Sequence, residues 1–337
     1  MSKFGEISVA PIIKLPALLR DLGHRPRKVF ATAQVDLQVF SDPENRLPLA
    51  DAGRLLVACV EQTKCKHFGL LLGECFELRN FGALGHLLRN SASVGDALRS
   101  LVLNLHWHDR GAVPIFKTPA SSSTFLGYSV YSRETPGIPQ IYDVSITIAY
   151  RILQELCGPS WNARSVQFAY RKPSDTKPYR RLFRAPVQFD AEVSGVAFAS
   201  RYLELPVEGA DPFLYRLLSR ALDEEAKSKM TLGEQLQEVL HQMLLGSNYS
   251  TDDVCSLFGL NERTLRRRLA KEGKQLHDLV QRTRSELAEQ LLEYTELPVA
   301  SIAGRLGYKD PNAFSRAFRT WAGISPQQWR DRLRRGK

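Results

Sequence analysis

The stretch GYKDPNAFSRAFRTWAGISPQQWR, Gly307 to Arg330, stands near the end of a 337-residue chain and decides how that end folds. A glycine opens it, Lys309-Asp310-Pro311 make a turn, and aromatic and basic residues then alternate at helical spacing. Asp310 is a residue type that caps helix starts, and Pro311 suits the first helical position. Phe314 and Phe318, four residues apart, share one face of the helix that follows. Tyr308, Trp321 and Trp329 are expected to pack on that same inward side. Alone, the segment is equally an amphipathic helix with a solvated basic face or a surface made for a phosphate backbone and base edges.

A near-copy upstream separates these readings. In YSTDDVCSLFGLNERTLRRRLAKEG, Ser250 to Asp253 resemble a capping box, and Val254, Leu257 and Phe258 give a short apolar face. Gly259 ends that helix, Leu260 packs under the turn, and Asn261 caps a second helix carrying Leu265 and Leu269. Gly259 and Gly307 are 48 residues apart, and each has a small residue four positions before it, Cys255 or Ala303. Two short helices joined by a tight glycine turn are the helix-turn-helix signature. The second turn is one residue longer than the first.

Helix geometry, at about 100° per residue, selects the outward side chains. Opposite Leu265 and Leu269 lie Arg263, Arg267 and Lys274, flanked by Arg266 and Lys271. Opposite Phe314 and Phe318 lie Asn312, Arg316 and Arg319, flanked by Ser315. Arginine pairs with guanine, asparagine with adenine, and hydroxyls with either. Between the units, Leu276, Leu279, Val280, Leu287, Leu291 and Leu292 form one helical stripe. A helix over 276–293 is about 27 Å long, and successive major-groove turns on one face of DNA are about 34 Å apart. Such a linker, with its flanking turns, can present both outward faces to adjacent grooves.

The rest of the chain is compatible with that partner. Its formal net charge of +10 favours an anionic partner, and its 43% hydrophobic content is ordinary for a chain that builds cores. The N-terminus lacks a signal-peptide core, and no apolar run has the length of a membrane span, which argues for the cytoplasm. Cys59, Cys65, Cys75, Cys157 and Cys255 are odd in number and form no CxxC, so buried free thiols are expected rather than disulfides or a zinc site. His106 and His108, with Cys65 and His67, match no zinc spacing. No GxSxG, P-loop or HExxH motif is present.

Residues 1–210 read as a mixed α/β domain. Helices are expected in APIIKLPALLRDLG, in LADAGRLLVACVEQTK, in SVGDALRSLVLNLHWH with Ser93 as cap, and in YDVSITIAYRILQELCG. Strands are expected in VQFAY, PVQFDA and GVAFASRYLELP. The basic, proline-broken YRKPSDTKPYRRLF between them reads as a surface loop. Residues 211–230 read as a connecting helix and linker, with an apolar stripe of Phe213, Leu214, Leu217, Leu218, Ala221 and Leu222. That stripe serves equally as a lever or dimer contact or as packing on its own domain. Residues 231–337 show only helical periods. The fold class is therefore an α+β N-terminal domain followed by an all-α domain with two helix-turn-helix units joined by a linker helix.

The two units, the linker pattern Arg284, Ala288, Leu291, Leu292, and Gly307, Tyr308, Phe314, Arg316, Phe318, Gly323, Ser325 and Pro326 of the closing stretch resemble the AraC family of bacterial transcription regulators. HFGLLLG (His67 to Gly73), FGALGHLLRNSASVGDALRSL and YRRLFRAPVQFDA resemble the effector domain of its ornithine-utilisation-type members. The helix-rich start departs from the barrel of the arabinose-type regulators, so no barrel or sugar site is carried over. The resemblance implies base contacts at Arg263, Arg266, Arg267, Asn312, Ser315 and Arg316. It implies phosphate contacts at Thr251 and Arg284, to which the outward faces add Lys271, Lys274 and Arg319. Pro311 departs from the longer polar residue common there. The implied protein is a DNA-binding transcription regulator under small-molecule control, without cofactor or metal. Its implied partners are double-stranded DNA, an effector, RNA polymerase and a second copy of the chain, and no membrane. The alternatives are an effector-free architectural DNA binder and, more remotely, an enzyme fused to a DNA-binding domain.

Overall fold

The computed structural model describes residues 5–105, 108–109, 111–117, 122–130, 135–229, 231–245, 250–258, 260–295 and 297–335. The chain divides into two compact units. One comprises Met1–Phe168, Lys172–Phe189 and Val193–Glu225; the other comprises Ala226–Lys337 with the short pieces Ala169–Arg171 and Asp190–Glu192.

The first unit begins with β1 (Glu6–Ser8), α1 (Leu15–Asp21), α2 (Pro26–Ala33) and β2 (Arg46–Pro48), and β1 pairs with β2 antiparallel. Then come α3 (Leu49–Thr63), α4 (Phe68–Glu74), α5 (Gly82–Arg89) and α6 (Val94–Asn104). A five-stranded sheet is built from β3 (Ala112–Lys117), β4 (Ser123–Val130), β5 (Ala163–Gln167), β6 (Val187–Gln188) and β7 (Ser194–Ala199), in the order β3-β4-β7-β5-β6. Its pairs are antiparallel except β5 with β6. The long α7 (Ile138–Cys157) packs against β4 and β7, and α8 (Lys177–Phe183) precedes β6.

Close packing explains the HFGLLLG segment. Gly69 and Gly73 are one helical turn apart on α4, and a Cβ on either would stand 2.7 Å from the Asp143 Cβ or 2.5 Å from the Thr147 Cβ of α7. Glycine at both places lets the two helices touch along their backbones, and larger residues would force them apart. Behind this contact, Asp143 is fully buried and accepts a hydrogen bond of 2.9 Å from the Tyr179 hydroxyl of α8.

Several expected elements are adjusted. APIIKLPALLRDLG is not one helix. A short 3-10 turn, Ala10–Ile12, precedes α1, whose second residue is Pro16. That proline has no amide to donate and restricts its predecessor, so the helix restarts there. The supposed loop YRKPSDTKPYRRLF contains α8. Pro178 falls in its first turn, where no amide is needed, and Tyr179 and Phe183, four apart, are both buried. α7 begins earlier than expected, after Gly137 at φ 67°, again with a proline in its first turn. Ser93 caps α6 as expected, accepting from the Asp96 amide at 3.1 Å.

α9 (Pro212–Lys229) is the connecting helix, capped by the Asp211 carboxylate. Its stripe is only partly covered. Leu222 is buried and Leu214 and Leu218 are half-buried, whereas Phe213 is 68% and Leu217 56% exposed.

The second unit is wholly helical among its regular elements: α10 (Leu232–Leu245), α11 (Thr251–Leu257), α12 (Glu262–Lys271), α13 (Leu276–Tyr294), α14 (Val299–Arg305), α15 (Pro311–Ala322) and α16 (Pro326–Arg335). Leu236 and Leu240 of α10 pack with Val254, Cys255, Leu265, Leu269, Leu276, Leu279 and Val280. Further along α13, Leu287, Ala288, Leu291 and Leu292 are buried, and the helix packs against α14, α15 and α16. One linker helix thus contributes to two successive small cores.

Candidate nucleic-acid interface

The two helix-turn-helix units close with the same backbone bond. The Leu260 amide donates to the Cys255 carbonyl and the Tyr308 amide to the Ala303 carbonyl, both at 3.0 Å. This bond, to the carbonyl five residues back, is the one that accompanies a left-handed helix-ending residue. Gly307 supplies that conformation at φ 80°; Gly259 lies outside the described residues. Cys255 and Ala303, the small residues four positions before each turn, are both buried.

Both second helices start on side-chain caps. Asn261 accepts from the Thr264 amide at 2.8 Å, and Asp310 accepts from Asn312 and Ala313 at 2.9 and 3.2 Å. Leu265 and Leu269 anchor α12, and Phe314 and Phe318 anchor α15, all fully buried. Tyr308, Trp321 and Trp329 complete an aromatic cluster, with rings 5.5 Å (Tyr308–Phe314), 6.4 Å (Phe318–Trp321) and 5.8 Å (Phe318–Trp329) apart.

With those faces inward, the opposite faces are set. On α12, Arg263, Arg266, Arg267 and Lys271 are exposed. Arg266 also pairs with Glu262 one turn back, at 2.6 Å. An exposed pair of this kind contributes little and is readily exchanged for a phosphate or base. On α15, Asn312, Ser315, Arg316 and Arg319 line one shallow concavity together with Asp310 and Thr320. Arg316 reaches within 3.9 Å of Asp310, which holds its guanidinium toward the helix start. The Ser315 hydroxyl donates to the Pro311 carbonyl at 2.9 Å, which leaves its oxygen as an acceptor.

Three of the phosphate candidates are placed differently from the others. Lys274 is not on α12. That helix ends at Lys271, Gly273 turns the chain at φ 67°, and the Lys274 ammonium lies 3.4 Å from Glu272. Glu272 in turn accepts from the amides of Leu232 and Gly233, each at 3.0 Å, so this charge cluster fastens the start of α10. The helical period that puts Lys274 outward therefore stops one turn short of it. Arg284 is half-buried with its guanidinium over the Tyr308 ring. Thr251 is the first residue of α11 and half-buried.

Thr320 and Arg268 were not singled out from the sequence. Thr320, four residues after Arg316, donates to the Arg316 carbonyl at 3.1 Å. Arg268 is exposed beside Arg267. Arg330 ends the closing stretch and is buried, donating to the Leu297 carbonyl at 2.6 Å and the Leu292 carbonyl at 3.4 Å. It satisfies one backbone acceptor in the last turn of α13 and one just past it. Of the imagined metal ligands, His106 lies outside the described residues, and His108 Nε2 is 3.0 Å from the Phe81 carbonyl. Among the described residues no group of three His, Cys, Asp or Glu side chains could hold a metal, and no helix is long and apolar enough to cross a membrane.

Comparison with known proteins agrees with this geometry. The family described as "Arabinose-binding domain of AraC transcription regulator, N-term" matches residues 23–207, and a "Helix-turn-helix domain" family matches residues 254–332. The chain is 29% identical over 318 residues to the HTH-type transcriptional regulator VirS of Mycobacterium tuberculosis, covering 93% of each. It is 26% identical to an ornithine utilization regulator of Pseudomonas aeruginosa, covering 96% of each. A crystal structure of the transcriptional regulator CdpR from Pseudomonas aeruginosa aligns with 91% of this chain and 96% of that one, at 23% identity and a TM-score of 0.46.

Proposed function

We propose, because the chain belongs to the AraC family of transcription regulators, that α12 and α15 enter successive major grooves of one promoter site. The protein is a DNA-binding transcription regulator with an N-terminal effector domain. Residues 1–210 form the regulatory domain, 211–230 the connection and 231–337 the DNA-binding domain. Arg263, Arg266, Arg267, Asn312, Ser315 and Arg316 read bases. Thr251, Lys271 and Arg319 meet phosphates, whereas Lys274 and Arg284 hold the scaffold.

The observation that carries this reading is the duplication itself. Two turns closed by the same 3.0 Å bond each present a cationic or amide-bearing face, and a 19-residue helix, about 28 Å long, joins them. A single basic helix needs no partner, but two joined by a helix of that length with its flanking turns can reach successive grooves of a duplex. The exposed Phe213 and Leu217 of α9 support pairing of two copies. A cytoplasmic setting, contact with RNA polymerase and the absence of catalysis follow from the same role.

The test is selection of genomic fragments by the purified full chain, followed by binding at several salt concentrations. The reading expects a shared sequence element spanning two adjacent groove turns and an affinity that falls steeply with salt. Retention of fragments with no common element, or binding indifferent to salt, would overturn it.

A further inference from the structure

The first unit has a half-open pocket of about 110 Å³ lined by α3, α6, α7 and the β3–β4 hairpin. Most of its wall is aliphatic, with Leu56, Leu105, Ile148 and Ile152 among its members. One polar group stands out in it. The Asp109 carboxylate is buried, accepts from the Gly111 amide at 2.7 Å and receives the Tyr128 hydroxyl, which in turn hydrogen-bonds Ser145. Of the other polar wall residues, Ser8 is engaged with Pro43 and Ala10, and His108 with Phe81.

We infer that this cavity is the effector site and that it takes a small, largely apolar molecule bearing one hydrogen-bond donor, an alcohol or amine, which it presents to Asp109. The inference deepens the regulator reading above and rests on it for its meaning.

Size, charge and hydrogen-bond accounting each point this way. A cavity of roughly 150 Å³ takes up benzene, so this smaller, half-open pocket holds at most one ring, with a substituent reaching its mouth. A pentose of similar size brings several hydroxyls, and a wall this largely aliphatic would leave most of them unsatisfied. A carboxylate ligand would meet Asp109, and among the described wall residues there is no Lys or Arg to receive it. Arg46 acts on Asp109 electrostatically from outside the wall. A carboxylate offers about four acceptor positions, so Asp109, which accepts from the Gly111 and Ala112 amides and from Tyr128, retains room for about one further donor. The family's description names a sugar, and the wall here argues for a different ligand chemistry in this member.

The test uses the full chain with four probes of matched size: benzyl alcohol, benzylamine, benzoate and L-arabinose, each titrated by calorimetry and by thermal shift. The expected result is saturable binding of the alcohol or the amine, with benzoate and arabinose inert. Ala149→Phe fills the cavity from α7 and abolishes that binding. Asp109→Asn keeps the shape and weakens the amine by about tenfold, and it carries the test if Ala149→Phe fails to fold. Binding of arabinose or benzoate as tight as that of the donors, no binding of either donor, or unchanged binding in a folded variant would overturn the inference. DNA binding by the same preparation without probe is measured alongside. Its absence would count against the regulator reading and leave the cavity result standing.

Discussion

The guanidinium carbon of Arg284 lies 5.3 Å from the centre of the Tyr308 ring. Arg284 belongs to the linker helix and Tyr308 to the turn of the second helix-turn-helix unit. The same guanidinium hydrogen-bonds the Tyr308 oxygen, and a Cβ at Gly307 would stand 3.4 Å from its Nη2. The contact therefore fastens the turn to the linker and fixes the angle at which α15 is presented. Arg284→Lys removes the planar stacking while keeping the charge and should destabilise the unit by about 0.5–2 kcal/mol. The salt dependence of DNA binding separates this role from a phosphate contact. A positioning residue leaves the slope unchanged in Arg284→Ala, whereas a lost phosphate contact lowers it by about 1.

Outward side chains on the two recognition helices should behave in two classes. Arg267→Ala and Arg316→Ala should each weaken the selected site by about 1–3 kcal/mol and relax preference at one base position. Arg319→Ala should weaken all sequences alike and reduce the salt slope. Competition binding against single-base variants of the site makes the comparison, and equal losses on every sequence would recast Arg267 and Arg316 as phosphate contacts.

The helix-turn-helix units were legible because their determinants are local. Caps at Asn261 and Asp310, apolar pairs four residues apart and a small residue before each turn all lie within about 25 residues, and the structure realises each. Lys274 lies off α12: a helical wheel carries no stop signal, and the stop is Gly273. α8 was missed because Pro178 reads as a breaker in sequence and is harmless in a first turn. β3 was missed for a related reason. Pro114 interrupts its pattern, and an edge strand tolerates the missing amide. The cavity had no sequence signature, since its wall is gathered from Ile7 to Ile152 and exists only once α3, α6, α7 and the sheet have packed.

Asp109 gives the first unit a pH signature. Burial pushes its carboxyl up to about 6 from an ordinary value of 3.8, against the opposing pull of Tyr128, the Gly111 and Ala112 amides and Arg46. A carboxyl whose folded value is raised holds its proton more tightly in the native state. Its stabilising contribution is complete below about pH 4 and is lost as pH rises through 6, a change of roughly 3 kcal/mol. Carboxyls such as Glu77 and Asp96, lowered by their cationic or hydroxyl partners, act in the opposite direction. The difference in urea midpoint between wild type and Asp109→Asn isolates the effect, and the variant should gain on the wild type as pH rises from 4 to 7. A difference independent of pH would mean that Asp109 titrates as an ordinary carboxyl.

Phe318 tests whether the two DNA-binding units depend on one core or on two. Its ring is fully buried and contacts Phe314, Trp321 and Trp329 at centroid distances of 5.9, 6.4 and 5.8 Å. Truncation to alanine should cost about 3–5 kcal/mol, more than a unit this small is expected to spare. The first helix-turn-helix unit has its own cluster, from Leu236 and Leu240 to Leu265 and Leu269, in which no residue of α15 takes part. Phe318→Ala should therefore lose sequence preference over the half-site read by α15 and keep it over the half-site read by α12, with a reduced salt slope for the whole site. Leu269→Ala should do the converse. Footprinting each variant on the selected site distinguishes the cases, and simultaneous loss of both half-sites in either variant would show that α13 couples the two cores into one cooperative body.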